Sequence, residues 1–258
     1  MPPTIILVHG AFAESASWDD VIEPLAEAGH PVIAAANPLR GLASDAEAIS
    51  DLVRSVDGPV VLVGHSYGGS VISNVAADSG EITGLVYVAG FASDSGESCF
   101  ELSAKFPGST LGDAIRPAPR SDGTTDLTIA QDLFHDQFAA DVPAMKTARM
   151  AVMQRPVTLE ALKEPSGERP LWNELPSWFL FGEQDKNIPA ALQRFMAERA
   201  LARRAVEIGG ASHAIAVSHP ERTADMVLEA AAAARSTTTA FAPADPMALD
   251  PLSPIPTS

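Results

Sequence analysis

PVVLVGHSYGG, at residues 59–69, joins a β-branched apolar run to a Gly-x-Ser-x-Gly motif. The apolar run predicts a buried strand, and the motif predicts a sharp turn from that strand into a helix. Such a turn lifts the hydroxyl of Ser66 clear of the sheet edge. Gly64 and Gly68 leave room for it, because a Cβ at either position would collide with neighbouring backbone. The segment therefore predicts an α/β protein in which Ser66 is placed to act as a nucleophile.

Strand-like runs alternate with helical patterns on both sides of this segment, which is typical of a parallel sheet with helices on both faces. The predicted strands cover residues 4–8, 31–36, 59–63, 82–89, 177–182 and 204–208. The predicted helices cover residues 18–28, 45–56, 66–77, 189–201 and about 218–235.

This alternation stops in the middle of the chain and again near its end. Residues 1–90 and 173–235 form the predicted core, and residues 91–172, rich in Gly, Pro, Ser and Asp, form a predicted lid. Within the lid we predict short helices at 129–138 and 144–153, in a segment too irregular for a sheet layer. Residues 236–258 are dominated by Thr, Ala and Pro, so we predict a disordered or loosely packed tail.

A serine nucleophile needs a base, and the base needs an orienting carboxylate. Around this kind of turn the order along the chain is nucleophile, acid, base. The predicted strand 177–182 is followed by Glu183 and Asp185, of which Asp185 is the predicted acid and Glu183 the competitor. The last predicted strand leads into His213, the predicted base. Ser66, Asp185 and His213 thus each follow a predicted strand, in the expected order.

Two backbone N–H groups are expected to stabilise the oxyanion that forms during acyl transfer. One belongs to Tyr67, directly after the serine, and the other to Ala11, in the loop after the first strand. This chemistry requires no metal and no organic cofactor.

Apolar side chains of the first loop and the lid are candidates for a substrate pocket. They are Phe12, Phe134, Phe138, Met150 and Met153, with Phe100, Phe106 and Trp172 as further lid candidates. The alternative interpretation is that these side chains pack the lid onto the core.

The composition limits where the protein works and what it binds. The formal net charge of −16, from 17 basic and 33 acidic residues, repels phosphate backbones and anionic lipid. We therefore expect no nucleic-acid or membrane partner. The charge carries no information on the substrate; a small-molecule ester substrate is expected from the serine chemistry. Cys99 is the only cysteine in 258 residues, which excludes an intrachain disulfide and favours a cytoplasmic location. The sequence leaves the oligomeric state open, with a homodimer as one candidate.

Four motifs together resemble the α/β-hydrolase superfamily. They are VHGA at 8–11, GHSYGG at 64–69, FGEQD at 181–185 and GASH at 210–213. The lid segments ARM at 148–150 and QRP at 154–156 are similar to the compact branch that contains plant methyl esterases and hydroxynitrile lyases. The resemblance covers residues 3–235. It implies an α/β-hydrolase fold, with a mostly parallel sheet of about six strands, helices on both faces and a small helical lid insertion.

Two residues depart from the hydroxynitrile lyases of this branch. Those enzymes carry a lysine directly after the catalytic histidine, where this chain has Ala214, and a threonine where it has Ala11. The resemblance therefore implies a serine carboxylesterase that cleaves small to medium, largely apolar esters through an acyl-enzyme on Ser66. Hydroxynitrile lyase-like activity, perhydrolase- or haloperoxidase-like activity and a ligand receptor on the same scaffold are the alternatives.

Overall fold

The computed structural model describes residues 1–239, and a parallel sheet forms its centre. The strands of the described residues are β1 (Thr4–Val8), β2 (Val32–Ala35), β3 (Pro59–His65), β4 (Glu81–Val88), β5 (Ile115–Pro119), β6 (Thr125–Ile129), β7 (Val157–Thr158), β8 (Ser177–Gly182) and β9 (Arg204–Ile208). Six of them form the central sheet in the order β2-β1-β3-β4-β8-β9, with every neighbouring pair parallel. The α/β-hydrolase fold predicted from the sequence is confirmed.

Helices cover both faces of this sheet. The helices of the described residues are α1 (Asp19–Glu27), α2 (Leu42–Arg54), α3 (Tyr67–Ser73), α4 (Cys99–Ser103), α5 (Leu111–Ala114), α6 (Phe134–Phe138), α7 (Ala144–Met153), α8 (Leu159–Lys163), α9 (Ala190–Arg199), α10 (Ile215–Ser218) and α11 (Pro220–Thr239). Helices α1 and α11 pack together on one face, and α2, α3 and α9 lie on the other.

The two faces carry two separate hydrophobic cores, because successive side chains of a strand point to opposite sides of the sheet. Ile5 and Leu7 of β1 pack with α1 and α11, whereas Ile6 and Val8 pack with α2 and α3. These four side chains are fully buried. A strand that is buried on both faces has a continuous apolar sequence, and for this reason β1 and β3 are predictable from the sequence.

The segment predicted as a lid, residues 91–172, lies between β4 and β8 and contains both helices and strands. Strands β5, β6 and β7 form an antiparallel sheet, in which Ile115 pairs with Ile129 and Leu127 pairs with Val157. The expectation of a lid without a sheet layer was therefore wrong. The predicted helix at 144–153 is present as α7, but the one predicted at 129–138 is reduced to α6, preceded by the end of β6.

The end of the chain is described only in part. Helix α11 continues to Thr239, past the predicted end near residue 235. The remainder of the predicted tail, residues 240–258, lies outside the described residues. Among residues 1–239, no helix combines the length and the apolar character needed to cross a membrane.

Candidate active site

Ser66 occupies a strained turn between β3 and α3. Its backbone dihedrals are φ 53° and ψ −124°, a conformation that costs a non-glycine residue on the order of 1–3 kcal/mol. The turn is held because the N–H groups of Gly69 and Phe91 both donate to the Ser66 carbonyl, at 2.9 and 3.0 Å. The strain predicted from the motif is therefore present and is supported by the backbone around it.

The two motif glycines allow this turn to fit into the sheet. A Cβ added at Gly64 would lie 2.5 Å from the carbonyl oxygen of Gly68. At Gly68 it would lie 2.4 Å from the carbonyl oxygen of Val8, at the end of β1. Both contacts are with backbone, which cannot move aside as a flexible side chain can. Glycine is thus required for the close approach, as the sequence predicted.

Asp185 and His213 form a buried pair at the carboxyl ends of β8 and β9. The Nδ1 of His213 donates to Oδ2 of Asp185 at 2.7 Å, and the side chains of both residues are almost fully buried. The competing acid, Glu183, is exposed and accepts a hydrogen bond from the N–H of Gly210 instead. The geometry therefore pairs His213 with Asp185 and not with Glu183.

Backbone contacts fix both members of this pair. The N–H groups of Asn187 and Ile188 donate to Oδ1 of Asp185, at 2.8 and 2.9 Å, which leaves Oδ2 for the imidazole. On the other side, Nε2 of His65 donates to the carbonyl oxygen of His213 at 3.1 Å. The residue before the serine thus links the nucleophile turn to the base loop. The motif did not reveal this contact, because its partner lies 148 positions away in the chain.

Ser66 and His213 line the same cavity, which has a volume of about 380 Å³. Their side chains form no hydrogen bond with each other in the described part of the chain. Catalytic hydrogen bonds are often long in ligand-free enzymes and shorten when substrate binds. The structure thus brings the serine and the Asp185–His213 pair to one cavity.

The two predicted oxyanion donors belong to the loop after β1 and to the first residue of α3. Ala11 and Tyr67 both line the cavity, and a Cβ added at Gly10 would lie 2.6 Å from Cβ of Ser66, so the first loop contacts the serine. The Tyr67 hydroxyl donates to the buried carboxylate of Asp45 at 2.9 Å. Burial raises the pKa of Asp45, and burial together with this carboxylate raises the pKa of Tyr67. Sequence reasoning missed this contact, which anchors the side chain of a proposed oxyanion donor.

The wall of the cavity is mostly apolar and is supplied largely by the lid. Its apolar lid members are Phe91, Phe100, Leu111, Ile115, Pro117, Leu127, Leu159 and Leu162. Of the described residues that line it, none carries a formal charge at neutral pH when His213 is neutral. The cavity therefore suits an uncharged, apolar ligand with its reactive group near Ser66.

Only one of the five predicted pocket residues lines this cavity. Phe12 does so, whereas Phe134 and Phe138 are buried, and the Phe138 ring packs edge-on against the His213 ring with centroids 4.9 Å apart. Met150 and Met153 line a separate groove of about 270 Å³, which Phe12 also borders. Of the further lid candidates, Phe100 lines the cavity, but Phe106 and Trp172 do not.

Cys99 lies in the cavity wall, where its Sγ is 3.0 Å from Oγ of Ser70. Burial raises the pKa of the Cys99 thiol to about 12. It is therefore protonated at neutral pH, and a thiol is a much weaker nucleophile than a thiolate. The only sulfhydryl of the chain is thus a residue of the cavity wall.

Comparison with known proteins places the chain in a family. The alpha/beta hydrolase family matches residues 5–226. A pyrethroid hydrolase of Sphingobium wenxiniae is 27% identical over 95% of both chains. A carbendazim hydrolyzing esterase of a Nocardioides species is 34% identical over 39% of this chain and 47% of its own length.

A solved structure shows the same architecture. The crystal structure of polyneuridine aldehyde esterase superposes with a TM-score of 0.74, covers 89% of this chain and 99% of its own, and is 20% identical. This likeness concerns the fold, whereas the family match extends over most of the sequence. The chain therefore belongs to the alpha/beta hydrolase family.

Proposed function

We propose that the protein is a serine carboxylesterase that hydrolyses uncharged, largely apolar esters. The observation that supports this most is one apolar cavity that holds Ser66 beside a buried His213–Asp185 pair. Two relatives, a pyrethroid hydrolase and a carbendazim hydrolyzing esterase, are hydrolases by name.

The proposed reaction begins when Nε2 of His213 takes the proton of the Ser66 hydroxyl. Oγ then attacks the ester carbonyl carbon, and the N–H groups of Ala11 and Tyr67 hold the resulting oxyanion. The imidazolium returns its proton to the departing alcohol. Water, deprotonated by His213, then attacks the acyl carbon, and the imidazolium returns this proton to Oγ of Ser66 as the acyl–oxygen bond breaks. Throughout, Asp185 keeps Nδ1 protonated, so that Nε2 is free to act as the base.

The position after His213 argues against the lyase alternative. Ala214 is buried, and its N–H donates to the carbonyl oxygen of Phe138 at 3.0 Å. An alanine there supplies no cation to manage a cyanide leaving group.

Replacement of the nucleophile tests the proposal. Ser66→Ala should lower kcat for p-nitrophenyl butyrate by about 10⁴-fold or more, as in other triads. A fluorophosphonate probe should label Ser66 in the wild-type protein, as located by peptide mass spectrometry. Ser55→Ala is the control, because Ser55 is an exposed residue at the end of α2 whose Oγ contacts only the carbonyl of Leu52. Activity of Ser66→Ala close to that of the control would refute the proposal.

The apolar wall makes a separate prediction about substrate charge. An ester with a terminal carboxylate must lose its hydration in the cavity without a cation to pair with, which is costly. We expect kcat/KM for p-nitrophenyl butyrate to exceed that for the p-nitrophenyl monoester of succinic acid by about 10-fold or more. Equal values would contradict the assignment of uncharged substrates.

A further inference from the structure

A short lid helix, α6, contacts both loops that carry the Asp185–His213 pair. Two consecutive residues near its end make these contacts, Gln137 toward the acid loop and Phe138 toward the base loop. The lid thus contacts the loops that carry the proposed acid and base, in addition to lining the cavity.

Both the nitrogen and the oxygen of the Gln137 side-chain amide form hydrogen bonds. Its Nε2 donates to the carbonyl oxygen of Lys186 at 3.0 Å and to Oδ1 of Asn187 at 2.7 Å. Its Oε1 accepts from the hydroxyl of Thr110, another lid residue, at 2.8 Å. The backbone N–H of Asn187 donates in turn to Oδ1 of Asp185. The lid amide is thus one residue removed from the carboxylate that orients His213.

Phe138 holds the base loop through its backbone and its ring. Its carbonyl oxygen accepts from the N–H of Ala214 at 3.0 Å and from the hydroxyl of Ser212 at 3.3 Å. These two residues flank His213, and the Phe138 ring packs edge-on against the imidazole. Because Gln137 and Phe138 are adjacent in α6, this helix bridges the two loops, in addition to the direct bond from the N–H of Gln184 to the carbonyl oxygen of Ala211 at 2.9 Å.

The burial of Gln137 indicates that these bonds matter. Gln137 is only 7% exposed, and a buried amide left without hydrogen-bond partners carries a substantial desolvation penalty. Gln193 on α9 offers a contrast within the same chain. It is fully buried, yet neither its side-chain nitrogen nor its oxygen has a partner among the described residues.

We propose that Gln137 is a positioning residue of the active site, which locks the Asp185 loop to the lid and thereby orients His213. The lid helix is then part of the catalytic scaffold as well as a cover. This inference rests on the proposed function, because it assigns a role in orienting the proposed base.

Gln137→Met tests the proposal, because methionine has a similar length and volume but cannot make these hydrogen bonds. Misplacement of the base should lower kcat by about 10- to 100-fold and leave KM within about 3-fold of wild type. The Nδ1 proton of His213, hydrogen-bonded to Asp185, gives a resolvable downfield NMR resonance. In Gln137→Met we expect this resonance to move upfield and broaden, because the bond exchanges more readily with solvent.

Gln193→Met is the matched control, since it removes a buried glutamine amide that makes no hydrogen bond to either loop among the described residues. It should leave kcat and the His213 resonance as in wild type. Should Gln137→Met fail to fold, Thr110→Val removes only the hydroxyl that supports Gln137, and we expect the same changes at smaller size, about 2- to 5-fold in kcat.

Two results would overturn the proposal. One is wild-type kcat together with an unchanged His213 resonance in the folded Gln137 or Thr110 variant. The other is an equal loss of kcat in Gln193→Met, which would indicate a general effect of altered packing. A failure of the proposed function is a different result, namely full activity of Ser66→Ala. The NMR comparison needs no turnover, so it would still test the positioning role in that case.

Discussion

Two further histidines are buried in the structure but do not belong to the proposed triad: His65, whose ring lies 4.8 Å from that of His213, and His9, in the loop after β1. His9 accepts a hydrogen bond from the N–H of Asn37 at Nε2 and contacts the carbonyl oxygen of Gly10 through Nδ1. Burial lowers the pKa of His9 to about 4, and burial together with the nearby His213 lowers the pKa of His65. Both imidazoles are therefore neutral at pH 7, which keeps extra positive charge away from the site.

Acidification should destabilise the protein through these histidines. The pKa of His9 falls from 6.5 for the free side chain to about 4 in the folded state, so the unfolded chain binds more protons between these values. The contribution of the neutral His9 to the free energy of unfolding is therefore fully present above about pH 6.5 and is lost as the pH falls toward 4. The loss from His9 is on the order of 2–3 kcal/mol between pH 7.5 and pH 4.5.

Urea unfolding at these two pH values measures the effect. His9→Gln retains an acceptor for Asn37 but does not titrate, so its stability should depend less on pH than that of wild type. An identical pH dependence in the two proteins would contradict the assignment.

The turn between β3 and α3 depends on the close approach of backbone atoms at its glycines. Gly68→Ala places a Cβ against the carbonyl of Val8, so α3 must shift relative to β1. We expect a loss of about 1–3 kcal/mol in unfolding free energy and a fall in kcat of about 10- to 100-fold. Gly209→Ala is the control for stability, because its added Cβ would meet only Oε2 of Glu183, at 3.9 Å. Equal stability of the two variants would show that α3 can move freely.

The lid sheet shows where periodicity fails as a guide. Strand β5 reads IRPAP, and its two prolines argue against a strand in the middle of a sheet. They are tolerated because β5 is an edge strand that pairs only with β6. Strand β7 has two residues, and its pairing with β6 joins positions about thirty residues apart. Such pairing depends on the long-range path of the chain, which a local pattern does not encode.

For the whole molecule, Arg40 attaches the lid to the core. Its guanidinium donates to Asp126 of β6 at 2.6 Å and to the carbonyl oxygen of Pro156, while its backbone N–H donates to Asp45. The same Asp45 carboxylate accepts from Tyr67, beside the nucleophile. Arg40 therefore connects β6 of the lid to Asp45 and, through that carboxylate, to Tyr67.

Arg40→Met should loosen this attachment, because it keeps the apolar stem and removes the guanidinium. We expect a several-fold rise in KM for p-nitrophenyl butyrate and a loss of about 1–3 kcal/mol in unfolding free energy. Arg54→Met is the control, since Arg54 is exposed and pairs only with Glu47 and Asp51 of its own helix. Unchanged KM and stability in Arg40→Met would show that the lid is held by other contacts.

The sequence alone determined the sheet, its flanking helices and the pairing of Asp185 with His213. Strands β8 and β9 match their predicted bounds, and Asp185 and His213 lie in the loops that follow them. These features are local, because a buried strand reads as a continuous apolar run and the residues after it stand at a predictable edge.

Only the tertiary structure decided which side chains surround the ligand cavity. Phe134 and Phe138 read as pocket residues but are buried, with Phe138 behind the imidazole, while Leu127 and Leu159 face the cavity. The direction of a lid side chain depends on how distant segments of the chain pair and pack. The same apolar residue types occur in a cavity wall and in a hydrophobic core, so residue type does not distinguish the two. For that reason the fold and the pairing of Asp185 with His213 could be predicted from the sequence, whereas the shape of the cavity could not.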